Sequence, residues 1–425
     1  MGERPGAEVA VLEGDPVTVD TGVVGLTAVL SGRPPYWSYS ALKELETCER
    51  RYVLSRASYP DLWTGRGYPA VPSAAALFGD VVHDSLEVIV RALVEAGCST
   101  VQSREAVAVL RSLGGYSRIA ERAIADRLAK LEGNPRVDAD RLRRLTQALG
   151  DRLMEARGQV QEYVSRQSLP EPSLGDEHLP DNADENSSAS FGRRPAGTGL
   201  HPERVLADDD LRLMGRVDLL AVSATDAAIV DYKTGAEAPA HAEQLRLYAL
   251  LWDLDRVVNP ARLPVRELTA AYRTHDVSVP APDSVGLREL EADLRHRIQV
   301  ADEACQRSDL APSPDSEYCG HCPVRALCDD YWSTLGADPA AVADGEWFDL
   351  DAVVGPQNGV RSWWLQHPVT GARRVLLRTS PSAPPVAEGT RIRVLGLRRH
   401  VDPEVDAPVA LLSVNSEVVR VAAGR

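Results

Sequence analysis

The chain has 425 residues, of which 44% are hydrophobic and 26% are charged, and this is the composition of a globular protein with two or three domains. Its formal net charge of -15 argues against a protein that coats polyanions over its whole surface, although it does not exclude a local basic channel. Because no run approaches about 18 apolar residues and the N-terminus lacks a secretory signal, we expect no membrane span and a cytoplasmic location.

The first half of the chain predicts mainly helices. Residues 1–35 contain short β-branched runs that predict a small β extension without assigned chemistry. A helix is predicted from about Tyr36, with Cys48 near its end. Apolar residues at three- and four-residue spacing predict a helical subdomain over residues 79–165. Residues 168–202 are rich in Pro, Gly, Ser, Asn, Asp and Glu, and therefore predict a disordered loop.

The middle of the chain predicts a β-hairpin followed by further helices. Two strand-like runs, Leu211 to Val222 and Ala227 to Lys233, flank a turn-forming segment. After them we predict a helix over about 240–255, a Val-rich segment to about 279 and a long helix to about 307. This order of elements indicates a mixed α/β core.

The chain after Trp332 changes in character. Short alternating runs over residues 362–366, 374–378, 391–397 and 409–421, punctuated by Gly, Pro and Asn, predict a small β-barrel of OB or SH3-like type over residues 340–425. The sequence therefore predicts an N-terminal extension over 1–35, a central domain over 36–335 and a C-terminal barrel.

The predicted hairpin carries two acidic residues and a lysine. Strand side chains alternate in direction, so Asp231 and Lys233 project from one face. If the strands pair symmetrically about residues 224 and 225, Asp218 lies opposite Asp231, with Cβ atoms about 4.5–5.5 Å apart. Facing carboxylates favour a bound Mg²⁺ or Mn²⁺ ion, which can activate water while Lys233 stabilises charge on a phosphate. The pattern indicates phosphodiester hydrolysis, although an isolated D-x-K is more often an exposed sheet face.

These residues resemble the RecB-like branch of the PD-(D/E)XK nucleases, in which an acidic residue, a D/E-x-K strand and a Q-x-x-x-Y helix recur. Gln244 and Tyr248 stand where that helix belongs, and positions i and i+4 share a helix face. By the same resemblance, His83 is a metal ligand or lies near the metal. Each of these three residues would be structural more often than functional if it stood alone. Val217 replaces the proline of the family pattern, and the resemblance covers roughly residues 36–335.

The resemblance implies a restriction-endonuclease-like α/β core with a helical subdomain. The catalytic residues that it implies are Asp218, Asp231, Lys233, Gln244 and Tyr248. The metal ligands that it implies are His83, Asp218 and Asp231.

Three of the six cysteines form a C-x2-C-x5-C array at Cys319, Cys322 and Cys328. Three soft ligands within ten residues indicate a metal site. The segment around Cys48 resembles the one that supplies the first cysteine in iron–sulfur RecB-like nucleases, so Cys48 is the predicted fourth ligand. A cluster held by these residues would join distant parts of one domain.

The identity of this metal centre is left open between two alternatives. The resemblance favours a [4Fe–4S] cluster, whereas zinc accepts the same four thiolates and His321 could replace one of them. Cys98 and Cys305 lie on predicted helices without such context, and we interpret them as core or surface residues.

The resemblance implies a metal-dependent DNA nuclease, most simply an exonuclease, similar to the CRISPR-adaptation exonucleases and to AddB-like nuclease domains. Its expected substrates are single-stranded DNA or duplex ends. Its expected partners are a helicase or a defence-complex subunit, in DNA repair, CRISPR adaptation or anti-phage defence.

The alternative is a non-catalytic iron–sulfur scaffold that binds nucleic acid beside a helicase, with Trp363 and Trp364 as base-stacking groups. Neighbouring strand residues point to opposite faces, so at least one of these two tryptophans is expected in the core. A cysteine-based redox protein is disfavoured because the array has the form of a filled metal site.

Overall fold

The computed structural model describes most of the chain. The described residues are 18–21, 23–24, 26–98, 100–167, 193–307, 309–368, 371–380, 385–414 and 416–422. They form two compact units. The hairpin unit contains residues 34–46 and the described parts of 71–303, and the barrel unit contains the described parts of 1–33, 47–70 and 304–425.

The elements are numbered in chain order. The N-terminal part contains β1 Thr18–Asp20, β2 Thr27–Val29, α1 Tyr39–Thr47, α2 Glu49–Arg56, α3 Ala74–Glu95, α4 Arg104–Ser112, α5 Gly115–Ala129, α6 Ala139–Asp151 and α7 Leu153–Arg166. The middle contains β3 Gly199–Asp208, β4 Leu213–Val222, β5 Ala227–Lys233, α8 Pro239–Leu254, β6 Val265–Tyr272, β7 Asp276–Val279 and α9 Ser284–Cys305. The C-terminal part contains α10 Ser316–Cys319, a 3-10 turn Arg325–Leu327, α11 Asp329–Thr334, β8 Trp347–Gln357, β9 Ser362–Gln366, β10 Arg373–Thr379, β11 Arg391–His400, β12 Val409–Leu412 and β13 Glu417–Arg420.

The hairpin unit is built on a five-stranded sheet in the order β3-β4-β5-β6-β7. Within it β5 and β6 are parallel, and a parallel pair needs a crossover connection, which α8 supplies. The β4–β5 ladder has the predicted register, from Leu219 opposite Val230 to Val222 opposite Ala227. The paired residues of this ladder stop at Leu219 and Val230, so Asp218 and Asp231 lie one position beyond its end.

Helices cover one face of this sheet. Ser73 caps α3, because its side chain accepts a hydrogen bond from the backbone N–H of Ala76, and α3 then buries one apolar face against α5 and α7. The shared core of helices and sheet contains Val81, Val82, Leu86, Ile89, Val90, Tyr163, Leu200, Leu219, Tyr232 and Ala271, among others. The helical region predicted over 79–165 is thus one layer of an α/β unit.

Two predicted boundaries in this unit are wrong. The disordered loop predicted to residue 202 ends earlier, because β3 begins at Gly199, while residues 168–192 lie outside the described residues. Proline at position 202 is typical of a loop, but β3 is an edge strand, and edge strands tolerate proline. The Val-rich segment predicted to residue 279 is two strands, because Tyr272 N donates to His275 O across a turn at 2.9 Å.

The barrel unit contains the predicted C-terminal barrel. Strands β8, β9, β10, β12 and β11 pair in that order, and β11 also pairs with β8, so the sheet closes on itself. The β10–β12 pair is parallel, the other pairs are antiparallel, and β13 extends the sheet from β11. Strand β8 was not among the predicted runs, although its alternation of buried and half-buried residues is the usual strand signal. The predicted run over 409–421 is two strands, β12 and β13.

The segment that carries the cysteine array packs on this barrel. Tyr331 and Trp332, with neighbouring apolar residues, form a core with Leu395 of β11. Asp349 of β8 accepts hydrogen bonds from Arg325 Nε and Tyr331 OH, both at 2.8 Å. The boundary predicted between residues 335 and 340 therefore falls inside one compact unit.

Within the predicted N-terminal extension, β1 pairs with β2 in antiparallel fashion, and residues 1–17 lie outside the described residues. In the described part of the chain, no helix is both long and apolar enough to cross a membrane.

Asp349→Ala tests the contact between barrel and cysteine segment. Asp349 also accepts from Gly396 N at 2.8 Å, and its removal leaves Arg325, whose side chain is 20% exposed, without its carboxylate partner. We expect a loss of about 3 kcal/mol in unfolding free energy, measured by urea denaturation. The control is Glu388→Ala, an exposed acid of the same barrel. Equal stability of the two variants would contradict the packing described here.

Candidate active site

The hairpin fixes the positions of Asp218, Asp231 and Lys233. Asp218 lies just beyond the β4–β5 ladder, and its carboxylate accepts a hydrogen bond from the backbone N–H of Tyr232 at 2.7 Å. The side chain of Asp218 thus takes the place of a ladder partner. Asp231 is only 3% exposed and forms an ion pair with Lys233. Residues two apart on a strand point to the same side, which brings the side chains of Asp231 and Lys233 together.

A third acidic residue, Glu203, joins Asp218 and His83. One ligand atom from each of the three lies within 4.8 Å of the others, and His83 Nδ1 is 3.6 Å from Asp218 Oδ2. Among the described residues this is the group of His, Cys, Asp and Glu side chains close enough to hold one metal ion. The resemblance predicted Asp231 as a metal ligand. In the structure, the carboxylate of Asp231 forms an ion pair with Lys233.

Glu203 was missed because it lies between the predicted disordered loop, residues 168–202, and the first predicted strand-like run, which begins at Leu211. The β3–β4 register, with Pro202 opposite Leu219 and Arg204 opposite Val217, puts Glu203 at the position opposite Asp218. Its φ of 52° lies in the left-handed region, which costs an L-residue about 1–2 kcal/mol. Such strain at a non-glycine residue often marks a functional site.

The electrostatics of this group reflect crowded negative charge. Burial, together with the charge of Asp218, raises the pKa of Glu203 to about 8. Burial and Asp218 also raise the pKa of Asp231, against the opposing effect of Lys233. Burial alone would lower the pKa of His83, but its hydrogen bond to Asp218 and the nearby carboxylates raise it. A divalent cation would relieve this repulsion, and carboxylates with one imidazole suit Mg²⁺ or Mn²⁺.

Helix α8 presents the predicted Gln–Tyr pair to Lys233. Lys233 Nζ donates to Gln244 Oε1 at 2.8 Å, and Gln244 Nε2 donates to Tyr248 OH at 2.8 Å. Tyr248 is 6% exposed, and burial with the charge of Asp231 raises its pKa, so that its hydroxyl stays protonated. This chain of hydrogen bonds fixes the lysine ammonium beside Asp231.

Two glycines allow the flanking helices to approach the hairpin. A Cβ at Gly215 would lie 2.6 Å from a ring carbon of Tyr248, and a Cβ at Gly79 would lie 3.0 Å from Thr234 Oγ1. The first distance is shorter than atoms tolerate. The close approach of α8 to β4 therefore requires glycine at position 215.

Further contacts hold His83 and Lys233 from the helical layer. Arg127 of α5 binds Asp84 at 2.6 Å and lies 3.3 Å from Asp80, and these two acids flank His83 on α3. Tyr163 OH donates to the backbone carbonyl of Lys233 at 2.8 Å. Arg127 thus offsets part of the negative charge near the group.

The barrel unit brings the four predicted cysteine ligands to one pocket. Its lining includes Cys48, Cys319, Cys322 and Cys328, together with Arg50 and Arg51. Cys48 caps α2, since its sulfur accepts from the backbone N–H of Arg51 at 3.5 Å. Burial raises the pKa of Cys322 to about 11, with further increases from Cys48 and Cys328 and an opposing effect of Arg51.

His321 and the two other cysteines, Cys98 and Cys305, are not among the residues that line this pocket. His321 is exposed, and Cys98 and Cys305 are buried elsewhere. Cys98 belongs to the core of the hairpin unit.

The chain matches one protein family model over most of its length. The family model described as the PD-(D/E)XK nuclease superfamily matches residues 36–329. The chain belongs to the PD-(D/E)XK nuclease superfamily. The matched span contains the hairpin with Asp231 and Lys233, the group around Glu203 and the cysteine array. The predicted membership of the superfamily is confirmed, and its subdivision into a RecB-like branch stays a prediction.

Other comparisons add little to this PD-(D/E)XK assignment. A search of curated proteins found no match. Among solved structures, the chain is similar to the OB domain of a Methanosarcina mazei protein, with 14% identity, a TM-score of 0.18 and coverage of 21% of this chain and 85% of that one. It is also similar to a murine DNA-binding protein bound to double-stranded DNA, with 10% identity, a TM-score of 0.16 and coverage of 53% and 96%. The p204 HINb domain gives 9% identity, a TM-score of 0.16 and coverage of 54% and 99%.

Gly215→Ala tests the approach of α8 to β4. Because the new methyl group overlaps the Tyr248 ring, we expect a loss of about 1–3 kcal/mol in unfolding free energy. The same substitution in a Tyr248→Ala background should cost much less, which a double-mutant cycle measures. Gly150→Ala in helix α6 is the matched control, since nothing lies within 4 Å of its Cβ, and it should be neutral or slightly stabilising. Additive effects of the Gly215 and Tyr248 substitutions would refute the contact.

Proposed function

We propose that this PD-(D/E)XK superfamily member is a RecB-like, Mg²⁺- or Mn²⁺-dependent deoxyribonuclease that hydrolyses phosphodiester bonds as an exonuclease. The observation that carries the proposal is the convergence of His83, Glu203 and Asp218 beside the Asp231–Lys233 pair. Three acids and a histidine next to a fixed lysine suit a cation-assisted attack on a phosphate.

Each residue has a role in this proposal. His83, Glu203 and Asp218 would hold the cation, and Asp231, whose pKa is raised by burial and by the charge of Asp218, completes the negative site. A cation held there would supply the Lewis-acid chemistry that activates water and polarises a phosphate. Lys233 meets the charge that develops on a phosphate oxygen.

The hydrogen-bond chain from Lys233 to Gln244 and Tyr248 has a positioning role. It holds the ammonium in one orientation before substrate binds. A preorganised donor avoids reorganisation during the reaction, and this is why such groups contribute strongly to rate.

The choice of DNA rests on the resemblance of the motif set to RecB-like nucleases. Single-stranded DNA and duplex ends are the proposed substrates. A helicase or a defence-complex subunit is the proposed partner, in repair, CRISPR adaptation or anti-phage defence.

We also propose that Cys48, Cys319, Cys322 and Cys328 hold a [4Fe–4S] cluster. The four cysteines line one pocket, which supports a shared metal centre. The choice of a [4Fe–4S] cluster over zinc rests on the resemblance of the Cys48 segment and the cysteine array to iron–sulfur RecB-like nucleases.

The barrel supports a second candidate function as a nucleic-acid-binding scaffold of OB type. A five-stranded Greek-key barrel with its third and fifth strands parallel suits an OB domain better than an all-antiparallel SH3-like barrel. Trp347 is 53% exposed, with the guanidinium of Arg398 5.9 Å from its ring centre. Trp363 instead packs against the barrel core. Trp347 is therefore the better candidate for base stacking.

Lys233→Ala and Asp231→Ala should both abolish cleavage of end-labelled DNA, but in different ways. Lys233→Ala removes a transition-state contact, so we expect a loss of about 100–1000-fold that additional Mg²⁺ or Mn²⁺ does not restore. Asp231→Ala and Asp218→Ala weaken the cation site, so additional metal should partly restore cleavage. The assay compares single- and double-stranded DNA with Mg²⁺, Mn²⁺ or a chelator, and Lys130→Ala, an exposed lysine, is the control. Wild-type cleavage by all three site variants would refute the assignment.

Anaerobically purified protein should be brown, with the broad visible absorbance of an iron–sulfur centre and bound iron and sulfide. Cys322→Ser should lose the colour and lower the melting temperature, because the cluster joins residue 48 to residues 319–328. Cys98→Ala removes a buried cysteine outside the pocket and should keep the colour. Stoichiometric zinc without iron or sulfide would overturn the cluster assignment.

A further inference from the structure

Helix α8 carries one more polar residue on the face that presents Gln244. His241 lies three residues before Gln244, and positions i and i+3 share a helix face. The charge of Lys233 reaches His241, since it lowers the pKa of the imidazole together with burial, which is the larger cause. His241 is thus a neighbour of the lysine side of the site, outside the group around Glu203.

The orientation of the His241 ring is set by Tyr272, the last residue of β6. His241 Nδ1 is 2.6 Å from Tyr272 OH, and Tyr272 stands at the register position beside Lys233 on the neighbouring strand. The two rings have centroids 5.8 Å apart and planes inclined by 44°. An aromatic side chain that is 6% exposed therefore anchors one nitrogen of the imidazole.

The contact between Tyr272 OH and His241 Nδ1 relates the proton of the phenol to the tautomer of the imidazole. Burial raises the pKa of Tyr272, so the phenol keeps its hydrogen and can donate it to His241 Nδ1. A neutral imidazole that accepts at Nδ1 carries its proton at Nε2. In this tautomer, which is part of the proposal below, His241 presents an Nε2–H donor on the side of its ring away from Tyr272.

No hydrogen-bond partner for His241 Nε2 is found in the described part of the chain, and the side chain is only half-buried. The donor lies in the first turn of α8, a 16-residue helix whose N-cap, Ala238, offers no capping side chain. The positive end of a helix dipole favours an anion at this place. Tyr272 also stacks on His275, which is paired with Glu237 at 2.7 Å, and the guanidinium of Arg166 donates to the backbone carbonyl of Tyr272.

We propose that His241 Nε2–H donates a hydrogen bond to a non-bridging oxygen of the DNA phosphate next to the one that is cut. The proposal rests on the nuclease function proposed above and assigns His241 to substrate binding. Tyr272 is a positioning residue that fixes the tautomer of His241. Because Nε2 carries a hydrogen, this nitrogen binds a phosphate oxygen and does not act as a competing ligand for the metal cation.

The test uses purified full-length protein, Mg²⁺ or Mn²⁺, and end-labelled DNA in which single phosphates are replaced by uncharged methylphosphonates. His241→Ala should raise KM about tenfold with kcat nearly unchanged, which is the effect of one hydrogen bond to a charged group. His241→Gln should restore binding better than His241→Asn, because the longer amide reaches the place of Nε2. The matched control is His296→Gln, an exposed histidine on helix α9, which should leave KM unchanged.

The modified DNA identifies the phosphate that His241 contacts. One methylphosphonate beside the cut site should slow the wild-type enzyme about tenfold and cause no further loss in His241→Ala, since the contact is already absent. Tyr272→Phe should give a smaller rise in KM, which the same assay measures even if His241→Ala folds poorly.

The outcomes separate the two proposals. If the wild-type enzyme cleaves DNA and Lys233→Ala does not, but His241→Ala and His241→Gln keep the wild-type KM and the wild-type methylphosphonate profile, the role of His241 is refuted alone. A loss of melting temperature in His241→Ala with unchanged KM also refutes it, since the residue is then structural. If the wild-type enzyme does not cleave DNA with either metal, the nuclease function fails and the His241 proposal fails with it.

Discussion

The close approach of Asp218 and Glu203 across the β3–β4 pair is the constraint on which the hairpin unit depends. Like charges opposite each other on a sheet are unfavourable, and here burial adds to the penalty, as the pKa of Glu203, about 8, shows. Several local departures from regular structure serve this one place: the left-handed backbone of Glu203, the early end of the β4–β5 ladder and the carboxylate of Asp218 on Tyr232 N. A sheet that only needed stability would avoid this contact, so its presence is an argument for a cation.

The β5–α8–β6 crossover gathers the other polar groups at the same end of the sheet. Ligands of α/β sheets bind beyond the carboxyl ends of parallel strands, and β5 and β6 end at Lys233 and Tyr272. Helix α8 returns across this end, so its first turns place His241 and Gln244 beside those two residues. Gly215 allows the helix to come close enough. The distance between the group around Glu203 and the Lys233 ammonium is thus set by backbone geometry and by packing, before any substrate binds.

The parts of the site that depend on short-range rules could be predicted from the sequence. The register of the hairpin followed from a four-residue turn and a period of two, and the shared helix face of Gln244 and Tyr248 followed from their i, i+4 spacing. Glu203 was missed because its partner stands on another strand and its own strand tolerates Pro202 at a sheet edge. The Tyr272–His241 contact joins a strand end to a helix start, which local patterns do not reveal.

The packing of the cysteine segment against the barrel could not be predicted for a related reason, and it bears on how this segment keeps its shape. Alternation identified the strands of the barrel, but nothing local shows that Tyr331 and Trp332 share a core with Leu395. The segment itself holds only a four-residue helix and a three-residue 3-10 turn around its cysteines. Such short elements are not stable on their own. Packing against the barrel therefore supplies order to these elements, and the proposed metal centre would add to it, so that loss of either one would loosen the other.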